Sequence, residues 1–334
     1  EIMERCSLPD SCHKPEFRET HISWVLLTDN FAFKMKRPVN YSFVDFSTPE
    51  KRAFFCREEL RLNRRMEPHM YLDVLPVTDK PQITENAAGH NVIDYAVKMK
   101  RMDNRREMDA MLRNNEVTQG HIARLAQKIV RFHHEAPVIK NPFRTLAFQE
   151  RYADIRNLSD FIAEKLGNGF KYTVDDCVKK SDKYLNVNRS FSNERIISGF
   201  QRDVHGDLNA RNIFLYDDPV IFDCIEFNKE YRQIDVLNEI AFLCVDLDFF
   251  DRNDLSRLFY QKYLEYSGDK EASKTRELFN YYKSYRASVR AKVTLISARN
   301  KAQKKNPDNE KELNDAERYI HLMAGYMEEF SSVD

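Results

Sequence analysis

The chain has 334 residues, with 53 Lys and Arg against 53 Asp and Glu, so its formal net charge is zero. That balance removes the composition-level argument for a nucleic-acid-binding or membrane-surface protein, whose partners are polyanions. Apolar residues make up 42% and charged ones 32%, which suits a globular chain with one large core or two coupled lobes; no stretch approaches the roughly 20 apolar residues of a membrane span.

The first predicted elements are strands. His21–Thr28 and Phe31–Lys36 are rich in β-branched and aromatic residues on either side of a polar turn at Asp29-Asn30, which predicts a hairpin. A helix is predicted over Thr48–Met66, with Ser47 or Thr48 as cap, Pro49 in the first turn, and Phe54, Phe55, Leu60 and Leu62 as apolar positions. Strand-like runs follow at Met70–Thr78 and Asn91–Lys100.

Helical spacing then takes over at Met108–Asn115, Thr118–His134 and Thr145–Leu166. Asp182–Ser198 reads as loop-rich, and Val204–Ile225 as a short apolar and acidic region. From Ile234 to Phe330 the pattern is almost wholly helical. The expected architecture is therefore α+β: a small β-rich lobe over residues 1–98 and a large helical lobe over 99–334, with a cleft between them.

Two scarcities narrow the chemistry. The eight glycines (89, 120, 167, 169, 199, 206, 268 and 325) accommodate neither G-x-G-x-x-G nor G-x-x-x-x-G-K-[ST], which excludes a Rossmann dinucleotide site and a Walker P-loop. The six cysteines (6, 12, 56, 177, 224 and 244) contain no C-x-x-C pair, so neither a zinc site nor a disulfide framework is expected. Cys224 and Cys244 lie in apolar runs and read as buried thiols. Residues 1–14 carry no basic-then-apolar signal pattern, and a reducing cytoplasm is the expected setting.

The strongest local signal is His205-Gly206-Asp207-Leu208-Asn209-Ala210-Arg211-Asn212, followed by a short hairpin that brings back a second acid, Asp223. Phosphoryl transfer needs such a set. One carboxylate orients the attacking hydroxyl and accepts its proton, while an amide oxygen and a second carboxylate hold magnesium against the phosphates. Magnesium takes hard oxygen ligands, which Asn and Asp supply.

H-G-D-L-x-x-x-N followed by V-I-F-D resembles the catalytic and metal loops of the aminoglycoside phosphotransferase and choline kinase branch of the protein-kinase-like fold. The resemblance extends over about residues 15–300, with loops at about 204–228. It is strongest to a bacterial aminoglycoside phosphotransferase-like module often fused to a P-loop ATPase domain, for which these glycines leave no place. It implies Asp207 as catalytic base, Asn212 and Asp223 as metal ligands, and Lys34 as the strand lysine on the α- and β-phosphates. Glu59 would be that lysine's helix partner, with Glu58 the alternative. Lys36, two residues on and on the same face, is an alternative to Lys34. Asp235 and Glu239 fall where the family has two acids bracing the catalytic loop, though the second is usually Asp. The turn Thr28-Asp29-Asn30 lacks the glycines of protein kinases, and Asn tolerance of positive φ would let it form.

Other features have plain structural readings. Adjacent His133 and His134 point about 100° apart on a helix, which argues against a metal pair. Lys301, Lys304 and Lys305 precede Glu310-Lys311-Glu312 and read as a solvated face. Trp24 is expected in the core. On the late helix, Tyr282, Val289, Val293 and Ile296 form a predicted buried stripe that contains Arg286 and borders Arg290. A guanidinium there needs a carboxylate such as Asp246 or Asp248, or else a bound anionic part of the acceptor.

The function expected is transfer of a phosphoryl group from ATP, or another nucleoside triphosphate, to a hydroxyl of a small molecule, with magnesium. A catalytically silent nucleotide-binding relative and a protein kinase are the alternatives. Eleven residues between Asp223 and Asp235, with no A-P-E segment, favour small acceptors over proteins. No nucleic-acid or membrane partner is expected.

Overall fold

A computed structural model describes residues 8–10, 15–41, 44–269, 272–302 and 309–328; Cys6, Cys12, Lys304 and Lys305 fall outside them. The chain divides into two compact units. The first comprises Glu1–Asn114, His205–Asp207 and Arg211–Arg232, and the second Asn115–Val204, Leu208–Ala210 and Gln233–Asp334.

The first unit is built on a six-stranded antiparallel sheet. Its order is Glu16–Glu19, Ser23–Leu27, Phe31–Lys36, Val92–Lys100, Tyr71–Thr78 and Gln82–Ile83. Alternation along Phe31–Lys36 assigns its two faces. Phe33 and Met35 join Leu26, Leu75, Val77, Ile83 and Ala96 on one side. Ala32 joins Leu27, Tyr71, Val97 and Cys56 on the other, and Lys34 and Lys36 share its parity. Both faces are covered, so the lysines project into protein.

What covers the second face is the helix Pro49–Asn63. Thr48 caps it, its hydroxyl accepting the Lys51 N–H, and Pro49 starts it where no amide hydrogen is needed. Ala53, Cys56, Glu59, Leu62 and Asn63 form the buried stripe. Phe54, expected inside, is 57% exposed, because the stripe repeats on Cys56 and Glu59 and Phe54 lies outside that spacing. Trp24 is half-buried beside the first cluster, with the Arg37 guanidinium 5.9 Å from its ring.

The second unit is helical. The helix Val236–Phe249 is buried at every position and packs against three other helices. Neighbouring it are Asn253–Ser267, Ser273–Ala302 and Glu310–Glu328, the last two packed along each other. Gln201–Asp203 pairs antiparallel with Gln233–Asp235.

Here the structure corrects three expectations. Asp182–Ser198 is not loop-rich: helices Asn168–Val187 and Arg189–Ile197 run through it. Its Asn, Ser and Asp content is weak for a helix, but packing overrides propensity, with Leu185 and Ile196 buried and Tyr184 stacked on Tyr281 at 4.6 Å. Thr145–Leu166 is broken into helices Thr145–Ala153 and Ser159–Lys165 around a 3₁₀ segment, Asp154–Leu158. On Ser273–Ala302 Tyr282 and Arg286 are buried as expected, but the stripe continues through Ala287, Ala291, Leu295 and Ala298, and Val293 is exposed. Small residues on that stripe let the neighbouring helices approach closely.

Among the described residues no helix is long and apolar enough to cross a membrane.

Candidate active site

Gly206 sets the shape of the loop that carries Asp207. Its φ is +86°, and a Cβ there would stand 2.8 Å from the Tyr231 carbonyl oxygen, a backbone atom that cannot step aside cheaply. The neighbouring His205 ties this loop to the following one. Its Nδ1 accepts the Asp207 N–H at 3.3 Å, so Nε2 carries the proton and donates to the Phe222 carbonyl at 2.8 Å. Two backbone bonds add to the tie: Ile225 N–H to His205 O at 3.1 Å, and Phe222 N–H to Asn212 O at 3.0 Å.

Asp207 and Asn212 are joined directly. The Asn212 Nδ2 donates to Asp207 Oδ2 at 2.8 Å and to the Asp207 carbonyl at 3.0 Å. That use of the amide nitrogen fixes the rotamer and assigns any cation to Oδ1.

Asp223 sits at a left-handed φ of 66°, a conformation that costs a non-glycine residue free energy and persists only where its surroundings impose it. They do so here. The Asp223 N–H donates to the Tyr71 hydroxyl at 3.0 Å, the Cys224 N–H to Asn63 Oδ1 at 2.9 Å, and the Ile221 N–H to Glu67 Oε1 at 3.0 Å. Asn63 is one turn after Glu59, so the helix that presents Glu59 also holds the loop of Asp223.

The charges form an alternating row. Asp223 Oδ1 lies 2.5 Å from Lys34 Nζ, and Glu59 Oε1 lies 2.9 Å from the same ammonium. Glu59 Oε2 is 2.5 Å from Lys36 Nζ, which also bonds Glu226. Lys36 and Glu59 are wholly buried, whereas the Asp223 side chain is 39% exposed. Burial pushes the Lys34 ammonium down, but Asp223, Glu59 and Glu226 together raise it well above its usual value. Lys36 is raised likewise, with Glu226 and Glu59 outweighing burial. Asp223 is lowered, since Lys34 outweighs the burial that would raise it.

The two lysines therefore have different partners. Lys34 spans Glu59 and Asp223, while Lys36 lies further inside against Glu59 and Glu226, 5.4 Å from the Phe46 ring centre. Glu58 points outward and pairs with Arg61 at 2.7 Å.

Oxygen atoms are the donors that could hold a small hard cation here. Asn212 and Asp223 offer oxygen, and among the described residues no three His, Cys, Asp or Glu side chains are grouped to hold a metal alone. Magnesium is commonly held in this incomplete way, by one or two protein oxygens completed by phosphates and water.

The turn Thr28-Asp29-Asn30 closes without a left-handed residue, since Asn30 does not have positive φ. Instead the Thr28 hydroxyl accepts the Phe31 N–H at 3.1 Å, and Asp10 accepts the Asn30 N–H at 3.1 Å and the Thr28 hydroxyl proton at 2.5 Å.

In the helical unit, Arg195 forks onto Asp235 at 2.6 and 2.8 Å, and Asp235 caps Val236–Phe249 through the Leu237 N–H. His133 is buried, with Nδ1 2.8 Å from the Tyr263 hydroxyl and Nε2 3.8 Å from Glu239. Arg290 Nε is 3.1 Å from Asp246 Oδ1, and Arg286 Nε donates to Asn238 Oδ1 at 2.7 Å with its guanidinium 4.7 Å from the Phe242 ring centre. Asp246 Oδ2 accepts the Ala210 N–H at 3.0 Å.

Sequence reasoning missed Glu226, Tyr71 and this contact of Asp246 with the loop. Glu226 follows Asp223 by three residues in an acidic, apolar run, the one signal that could have drawn notice.

No protein-family model matches the chain. Among curated proteins it is similar to uncharacterised proteins of Mycobacterium tuberculosis and Mycobacterium bovis, 32% identical over 287 residues, which is 84% of this chain and 55% of theirs. The chain thus spans about half the length of these relatives. Among solved structures it is similar to the GDP and kanamycin complex of the aminoglycoside phosphotransferase APH(2")-IIia, with a TM-score of 0.54, 13% identity and 98% of both chains covered. The choline kinase of Cryptosporidium parvum gives a TM-score of 0.53 at 11% identity, covering 95% of this chain and 90% of that one. The ethanolamine kinase of Plasmodium vivax gives 0.51 at 11% identity, covering 96% and 85%. The chain therefore has the two-lobed, protein-kinase-like fold found in aminoglycoside phosphotransferases and in choline and ethanolamine kinases.

Proposed function

We propose that this chain is a magnesium-dependent phosphotransferase that moves the γ-phosphoryl group of ATP, or another nucleoside triphosphate, to a hydroxyl of a small molecule. The observation that carries this reading is two groups in one compact unit: the ion-paired Lys34, Glu59 and Asp223, and the hydrogen-bonded Asp207 and Asn212, whose loops are tied through His205 and the backbone of Phe222. Asp207 accepts the acceptor's hydroxyl proton as its oxygen attacks phosphorus and the bond to the leaving diphosphate breaks. Asn212 holds that carboxylate in place through Nδ2, and its Oδ1 would be the oxygen offered to the cation. Lys34, kept charged by Glu59 and Asp223, supplies positive charge to the phosphates. Magnesium, when bound, neutralises the phosphate oxygens.

The segment after Asp223 supports a small acceptor. Of its eleven residues before Asp235, Lys229–Arg232 form one helical turn, and Gln233 and Ile234 are tied into the pairing with Gln201–Asp203. That leaves no long loop on which a peptide could dock.

The experiment is a transfer assay with γ-labelled ATP and GTP against a library of small alcohols, sugars and amino alcohols, with Asp207→Asn as control. Label appearing in an acceptor with the parent chain and not with the variant supports the reading. Equal transfer by both, or nucleotide bound with no transfer to any acceptor, goes against it.

A further inference from the structure

Lys34 and Lys36 stand two residues apart on one face of one strand, and a nucleotide needs only one of them. What the second does follows from the row of charges Glu226, Lys36, Glu59, Lys34, Asp223, in which every neighbouring pair is an ion pair. Three carboxylates face two ammoniums, so the row carries one net negative charge. The inner end is closed: Lys36 and Glu59 have no exposed side-chain surface, and the Glu226 side chain has 4%. The outer end is the open one, with the Lys34 side chain 12% and the Asp223 side chain 39% exposed.

We infer that Lys36 and Glu226 are positioning residues that set, through Glu59 and Lys34, how strongly the outer end attracts a cation relative to an anion. This rests on the nucleotide reading above and deepens it. Glu59 divides its two oxygens between the lysines. Removing the Glu226 charge leaves Lys36 to Glu59 alone, which loosens the Glu59 hold on Lys34 and delivers Lys34 more fully to Asp223 and to any phosphate. Removing the Lys36 charge does the opposite: Lys34 is drawn inward by two unneutralised carboxylates, and Asp223 is released. Burial keeps these effects from being screened by solvent.

The consequence has opposite signs for the two ligands. Glu226→Gln weakens magnesium binding and strengthens binding of metal-free ADP. Lys36→Met strengthens magnesium binding and weakens metal-free ADP. Each shift is on the order of tenfold for one buried charge two contacts away. The double variant loses one charge of each sign, keeps the net charge at minus one, and returns both affinities toward the parent values. A purely structural role would weaken both ligands in every variant, and most in the double.

The test titrates a fluorescent ADP analogue in the presence of EDTA, then magnesium at saturating analogue, for the parent chain, both single variants and the double. Measurements are made below each variant's melting temperature. Shifts of opposite sign, with recovery in the double, are expected. If Lys36→Met does not fold, Glu226→Gln and the double still carry the comparison. Shifts of the same sign, or no shift in Glu226→Gln, overturn this inference while leaving the nucleotide reading intact. A parent chain that binds neither ligand overturns that reading, and this inference with it.

Discussion

Asp246 accepts the backbone N–H of Ala210 at 3.0 Å, which ties a buried carboxylate of helix Val236–Phe249 to the segment Leu208–Ala210 of the same unit. The other oxygen of that carboxylate meets Arg290 Nε at 3.1 Å and the Tyr319 hydroxyl at 3.4 Å. Arg290 thus serves as the counter-ion of the carboxylate that holds Ala210. Removing one partner of a buried ion pair strands the other, at a cost of about 3–5 kcal/mol. Arg290→Gln is expected to lower the melting temperature substantially and to reduce turnover, with the acceptor KM unchanged. Kinetics and thermal melts on the same preparation check this. A raised acceptor KM at unchanged stability would place Arg290 on the acceptor instead.

Asp207→Asn keeps the size and the bond to Asn212 but removes the proposed base. Turnover should fall by about 10²–10⁴, with nucleotide affinity nearly unchanged, because the carboxylate acts on the acceptor. Calorimetry on the variant separates the two, and lost nucleotide binding would show the role is misassigned.

Gly206→Ala puts a Cβ 2.8 Å from the Tyr231 carbonyl oxygen at a φ of +86°. A loss of about 1–3 kcal/mol is expected from the strain alone, together with reduced turnover as Asp207 shifts. Chemical denaturation measures the first. Unchanged stability would mean the loop relaxes without cost.

Lys34 holds the Asp223 carboxyl below its usual range against the effect of burial. A carboxyl lowered on folding stabilises the fold fully above its unfolded value of about 4. That contribution is lost as pH falls through the lowered value. Parent and Asp223→Asn should therefore differ in melting temperature at pH 7 and converge toward pH 3. A gap that widens in acid would contradict the pairing.

Burial pushes the thiols of Cys56, Cys177 and Cys244 up to about 12. The thiolate is the reactive form, so none of the three should be alkylated in the folded chain at pH 8. Peptide mapping after iodoacetamide tests this, and labelling of Cys56 without unfolding would show that its helix opens.

Features written in local pattern were legible in the sequence. Alternation around Asp29-Asn30 gives the hairpin Ser23–Leu27 and Phe31–Lys36, and Thr48 before Pro49 gives the helix start. The run from His205 to Asn212 announces its loop through Gly206, whose φ is +86°. Features set by distant partners were not legible. Glu226 matters through Lys36, 190 residues earlier, and Asp246 through Ala210 and Arg290. Arg189–Ile197 is a helix because it packs, with Arg195 forked onto Asp235, and not because its Ser and Asn favour one. Phe54 and Val293 show the same limit from the apolar side, since a hydrophobic residue near a stripe is inside only if the neighbouring element reaches it.

Calorimetric titration of ATP into the parent chain and Asp223→Ala, each with and without magnesium, tests the central claim most directly. The account predicts that the parent binds ATP more tightly with magnesium, and that Asp223→Ala loses this magnesium dependence while retaining weak metal-free binding through Lys34. A parent chain that binds no nucleotide, or an unchanged magnesium dependence in Asp223→Ala, would contradict it.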